Sequence, residues 1–192
     1  MLVRLLAIPV EYTASNMQVM GKQWVIATTP RSGSSYMTRL LRCTGIRAGH
    51  EDVWPATGYR GWKDWDVDVT PWAPPTEQSV LQVRHPLHVI ASLAATEALN
   101  HITTVEAAAT YWLEFMEQWF PVVEFVYRVE DLDVKYYKTI LTHLYPERLW
   151  LSDHVAAALA YVPVGYNSHQ HDGLKWSEVP AEVRVLGTEL GY

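Results

Sequence analysis

Two short stretches hold the residues best suited to chemistry. The first is Thr29-Pro-Arg-Ser-Gly-Ser-Ser35, with a β-prone run before it and a helical pattern after it. A strand–turn–helix of this kind aims free backbone N–H groups and the positive end of a helix dipole at an anion. Gly33 lets the backbone approach a ligand, Ser34 and Ser35 add hydroxyl donors beside Ser32, and Arg31 can fork onto two oxygens of a phosphate or sulfate. A plain helix cap with a surface arginine would leave the same pattern. The loop of nucleoside triphosphatases reads G-x-x-x-x-G-K-[ST]. Here Ser34 stands where that lysine belongs and the first glycine is absent, which argues against ATP or GTP hydrolysis. The second stretch, Arg84-His-Pro-Leu-His-Val-Ile-Ala-Ser92, offers an arginine at a strand end and a serine two turns into the next helix. Such a pair can grip one further phosphate group.

Both stretches need elements to carry them. Trp24–Thr28 reads as a buried strand that ends before Pro30. The helix predicted over 34–43 is apolar at Tyr36, Met37, Leu40, Leu41 and Cys43, and Gly45 ends it. Ser79–Val83 is a second strand, and Pro86 opens a helix to about residue 99. The amphipathic pattern is clearest over 105–120, with Trp112, Met116 and Trp119 on one face and Pro121 as the stop. A third strand is expected over 122–127, then helices over Val134–Leu144, Ser152–Tyr161 and about 180–190. Glu130 and Asp131 read as caps of the helix that follows them. Between 49 and 78, Trp54, Trp62, Trp65 and Trp72 crowd a stretch without sustained periodicity, which predicts a long irregular excursion that binds something or covers a site. Residues 1–22 form an uncertain extension in which 2–8 reads as an edge strand. Strands alternating with helices indicate one α/β domain with a central, mostly parallel sheet flanked by helices, whose post-strand loops share one edge.

Composition bounds the partners. The 192 residues suit one domain, 49% apolar content suits a packed core, and 15 basic against 21 acidic residues give a net charge of −6. A chain that acidic is a poor nucleic-acid binder, so an anion must be held by a few concentrated arginines and lysines. The single cysteine, Cys43, excludes an internal disulfide and a cysteine-based zinc cage. No signal peptide or membrane span is legible, which points to a soluble, cytoplasmic protein without a membrane partner.

The two stretches together resemble the sulfotransferases that use 3′-phosphoadenosine 5′-phosphosulfate. In that family a P-[KR]-[ST]-G-[ST]-[ST] loop cradles the 5′-phosphosulfate, and an R-x-P-x-x-x-x-x-S segment holds the 3′-phosphate. Tyr127-Arg-Val-Glu-Asp-Leu132 looks like the family's [RY]-x-E-D-L segment. Leu174-Lys-Trp176 and the ending Leu-Gly-Tyr192 look like the C-terminal part of tyrosylprotein and related bacterial sulfotransferases. The resemblance covers residues 24–192 and implies a P-loop-type domain. The stretch between the two nucleotide motifs is short for the family.

Within that resemblance each candidate acquires a role. Arg31, Ser32, Gly33, Ser34, Ser35, Arg84 and Ser92 would bind the donor, with Lys175 and Trp176 on a loop closing over it. Arg31 and Lys63 would supply cations to the transferred group. Lys63, 21 residues before Arg84, lies where related enzymes often place a catalytic lysine, though a solvated surface lysine has the same signature. Glu51 falls where the tyrosylprotein branch carries its base, and His50 competes because other branches use histidine. No metal is implied, and His169 and His171 read as solvated loop residues. The acceptor would be a small molecule or a peptide. A small-molecule kinase would need the missing loop lysine and a carboxylate for Mg²⁺. A non-catalytic nucleotide-binding module with the same fold stays open.

Overall fold

Val25, Ile26 and Ala27 offer solvent no polar face, and the strand they form lies where both faces are covered. This is β1 (Trp24–Thr28), the middle strand of a five-stranded sheet in the order β2-β3-β1-β4-β5. The computed structural model describes residues 24–50, 66–71, 77–96, 99, 102–162 and 173–192. The other strands are β2 (Ala48–His50), β3 (Val67–Thr70), β4 (Ser79–Val83) and β5 (Val126–Arg128), and every pairing is parallel. Ile26 sits opposite both Val69 and Val80, which sets the register around the centre.

Helices cover both faces. On one side α1 (Ser34–Cys43), α4 (Val134–Leu144) and α5 (Ser152–Tyr161) pack on Ile26, Val67, Val69, Val80 and Tyr127. On the other, α2 (Pro86–Ala95), α3 (Val105–Trp119) and α6 (Ala181–Glu189) pack on Val25, Ala27, Leu81 and Val83. Trp112 and Trp119, 1% and 0% exposed, anchor α3 in that second core. The Thr104 hydroxyl starts α3 by accepting the Ala107 N–H at 3.1 Å.

Several expectations are corrected. The stretch 49–78 is not irregular throughout, because it contains the end of β2 and the whole of β3. β3 alternates: Val67 and Val69 join the α1 side, so Asp68 and Thr70 fall on the opposite face. The helix from Pro86 ends at Ala95, where Thr96 turns extended and its hydroxyl donates to the Ser92 C=O at 2.7 Å. The strand expected over 122–127 starts only at Val126, since the Val122 and Val123 N–H groups both bond the Trp119 C=O in a turn that finishes α3. Neither Glu130 nor Asp131 caps α4. Asp133 does, accepting the Tyr136 N–H at 2.6 Å. Residues 1–22, the four clustered tryptophans, His169 and His171 lie outside the described residues. Among the described residues no helix is long and apolar enough to cross a membrane.

Candidate functional site

In a parallel sheet every strand delivers its C-terminal end to the same edge, and the described candidates of the two nucleotide motifs gather there. β1 runs buried into Thr28 and Thr29. The chain then turns sharply, with the Ser32 N–H on the Thr29 C=O at 3.1 Å and the Thr29 and Ser32 hydroxyls bonded to each other. Arg31 has φ 72° and Gly33 φ 88°. Glycine accepts that left-handed region readily; for an arginine it is strained by about 1–3 kcal/mol. The strain persists because the turn is gripped from β4. Gln82 Nε2 donates to the Ser32 C=O at 2.7 Å, and Arg84 Nη1 donates to the Arg31 C=O at 3.0 Å.

Gln82 is itself aimed. It is 1% exposed, and its Oε1 accepts the Tyr127 O–H from β5 at 2.8 Å. Burial pushes the Tyr127 phenol well above its ordinary range, so the hydroxyl stays a donor. The sequence does not single out Gln82, and it offers Tyr127 only as the start of the Tyr127–Leu132 segment with no role assigned. The available signal was an amide inside the otherwise apolar run Ser79-Val-Leu-Gln-Val83.

α1 begins directly after the turn, with Gly33 as its N-cap and no side-chain cap. It has no acidic residue in its first turn, so its dipole and leading N–H groups face the loop uncompensated from within the helix. His50, at the end of β2, reaches this helix start. Its Nε2 lies 2.8 Å from Ser34 Oγ and 3.0 Å from Ser35 Oγ. The expected convergence of the two motifs is present. Arg31 Nε donates to Ser92 Oγ at 3.0 Å across 61 residues of sequence, and Ser92 is 2% exposed on α2. Two arginines, four serines, a histidine and a helix start therefore share one sheet edge.

The C-terminal segment docks beside them. Trp176 lies on the His85 ring at 5.4 Å, one residue from Arg84, and packs over Gly187, where a Cβ would fall 2.7 Å from the indole. Lys175 is exposed, and its N–H is fixed on Glu178 Oε2 at 2.7 Å. Burial first, then the neighbouring His88 and Arg84, hold the His85 imidazole below its ordinary range against the opposing pull of Glu130. Glu51 and Lys63 lie outside the described residues. A groove of about 710 Å³ along α4, with Lys135, Lys138 and His143 on its walls, shares no residue with this cluster. Among the described residues no group of three or more His, Cys, Asp or Glu side chains is placed to hold a metal ion. The arrangement is suited to holding an anion with more than one phosphate-like group. The sequence matches no family model and no curated protein.

Proposed function

We propose that this chain is a sulfotransferase, moving a sulfuryl group from 3′-phosphoadenosine 5′-phosphosulfate to a hydroxyl or amine of a small-molecule or peptide acceptor. The observation that carries the proposal is the Arg31–Ser92 bond at 3.0 Å, with Arg84 docked on the Arg31 carbonyl. It joins the loop suited to a 5′-phosphosulfate to the pair suited to a 3′-phosphate. A donor that bears both groups is what such a joined site would select.

In this proposal the loop backbone, Ser32, Ser34 and Ser35 cradle the 5′ end, while Arg84 and Ser92 hold the 3′-phosphate. The acceptor oxygen or nitrogen forms a bond to sulfur as the bond from sulfur to the 5′-phosphate oxygen breaks. The electron pair of that bond leaves with adenosine 3′,5′-bisphosphate. Negative charge builds on the oxygens in line, where Arg31 and Lys63 are assigned to meet it. Glu51 is assigned to take the acceptor proton. His50 orients the Ser34 and Ser35 hydroxyls, a role that rests on its two contacts. Lys175 and Trp176 close over the nucleotide.

Calorimetry with adenosine 3′,5′-bisphosphate, AMP and ADP tests the donor. The bisphosphate should bind far more tightly than AMP. Arg84→Ala should weaken it by about 1.5–3 kcal/mol per charge-assisted bond lost, or roughly 10- to 150-fold. Equal affinity for the bisphosphate and AMP would remove the assignment.

A further inference from the structure

The turn that presents Arg84 is held by a residue far from it in sequence. Glu130 Oε1 accepts the His85 N–H at 2.6 Å, and Glu130 Oε2 accepts the Tyr192 O–H at 3.1 Å. That N–H belongs to the peptide unit joining Arg84 to His85. Fixing it therefore fixes the direction in which Arg84 leaves β4. Arg84 in turn grips the Arg31 carbonyl with one of its five N–H donors, leaving the others to meet an anion.

The tail that supplies Tyr192 is pinned to the same place. Arg128 Nη1 donates to the Gly191 C=O at 2.6 Å, Arg128 Nε donates to Asp131 Oδ2 at 2.6 Å, and the guanidinium lies 5.3 Å from the Tyr192 ring. Gly191 has φ 84°, a left-handed conformation that favours glycine. The Tyr192 ring also meets His85 at 5.0 Å. Three segments, at 84–85, 128–131 and 191–192, thus converge on one carboxylate.

We propose that Glu130 is a positioning residue for the 3′-phosphate site: its carboxylate, braced by Tyr192, sets the Arg84–His85 peptide so that Arg84 meets the phosphate. This rests on the donor assignment above. Its chemistry separates from a simple charge effect. A carboxylate near an anion site repels the anion, so charge loss alone would tighten binding in both Glu130→Ala and Glu130→Gln. Positioning needs an acceptor for the His85 N–H, which glutamine keeps and alanine lacks.

The test is calorimetry of the full chain with adenosine 3′,5′-bisphosphate and with AMP. Losing one bond that orients Arg84 should raise the bisphosphate Kd about 10-fold in Glu130→Ala, with AMP changed less than about 2-fold. Glu130→Gln keeps the acceptor and sheds the charge, so it should not weaken either ligand by more than about 2-fold. Tyr192→Phe keeps the ring and removes only the hydroxyl, and should weaken the bisphosphate selectively by about 2- to 3-fold. Parent-like discrimination in Glu130→Ala, or a glutamine variant that behaves as the alanine one, overturns the proposal. Should Glu130→Ala fail to fold, Tyr192→Phe decides it: selective weakening supports the brace, and parent-like binding overturns it. A parent protein that does not prefer the bisphosphate removes the donor assignment itself, an outcome distinct from the others.

Discussion

Replacing Gln82 by leucine keeps the volume of a side chain that is 1% exposed and deletes its three polar contacts. The Ser32 C=O loses its donor at 2.7 Å and the Tyr127 O–H loses its acceptor at 2.8 Å. The Thr28 hydroxyl contact, at 3.5 Å, is at the limit of a hydrogen bond and adds little. Ser32 is 0% exposed and Tyr127 1%, so water cannot replace what is lost. A buried polar group left without a partner costs about 1–3 kcal/mol. Two of them give about 2–6 kcal/mol, and the apolar burial of leucine offsets part. The expected net loss is about 2–4 kcal/mol, and for a chain of this length that lowers Tm by about 4–16 °C. Urea unfolding followed by circular dichroism, read as a midpoint shift at constant slope, measures it. The double variant Gln82→Leu/Tyr127→Phe orphans only the Ser32 carbonyl, and should be more stable than Gln82→Leu alone by about 1–3 kcal/mol. A loss below about 1 kcal/mol in the single variant, or a double variant less stable than it, would refute the reasoning.

Three further outcomes are expected. Arg31→Ala should lower kcat about 10²-fold with saturating donor, a larger effect than on donor affinity, because the loop amides still hold the ground state; normal turnover would end its catalytic assignment. Gly33→Ala places a β-carbon at φ 88° and 3.3 Å from Val129 Cγ2, so urea unfolding should show a loss of about 1–3 kcal/mol. Adding Val129→Ala relieves the contact but leaves the backbone strain, so only part of that loss should return. Burial lowers the pKa of His143, against the pull of Glu124, and that of His85. The unfolded chain then binds more protons below its own histidine pKa, so stability is full above about pH 6.5 and declines as pH falls through the depressed folded values. His143→Phe, at a ring stacked on Phe125 at 4.4 Å, should flatten the slope between about pH 7 and 5; an unchanged slope would count against it.

The elements legible in the sequence were those whose own residues decide them. β1, β4 and the helices over Val105–Trp119 and Val134–Leu144 show apolar runs or a repeat at helical spacing, because their burial is continuous or one-sided. β2 was not legible, since Ala-Gly-His carries no strand signal and its pairing comes wholly from β3. β3 hid behind the aromatic crowding around it and behind Asp68, a carboxylate that is only 5% exposed. At the site, the meeting of the two strand-end motifs follows from a parallel sheet that brings them to one edge, but the sequence pairs Ser92 with Arg84, whereas Ser92 bonds Arg31 and Arg84 grips the Arg31 carbonyl. The roles of Gln82, Tyr127 and the bracing of Glu130 are not legible, because each acts on backbone groups contributed by a distant segment. The sequence offers His50 as a possible base, and its contacts with Ser34 and Ser35 arise from β2, a strand without a sequence signal of its own.

The middle strand of the sheet is the first of the five to leave the ribosome. Its neighbours begin at Val67 and Ser79, and parallel pairing allows no hairpin shortcut to either. At about 5–20 residues per second, synthesis from Trp24 to Ser79 takes about 3–11 s. Until Val67 emerges, Val25, Ile26 and Ala27, each 0% exposed in the finished fold, have neither strand partner, and until Ser79 emerges they have at most one. Gln82 and Arg84, which hold the loop after β1, emerge later still. The nascent chain thus carries an uncovered apolar strand for seconds, an invitation to pair with other chains. The yield of folded protein should accordingly depend on how fast codons 24–84 are read, and on whether a chaperone shields the strand meanwhile.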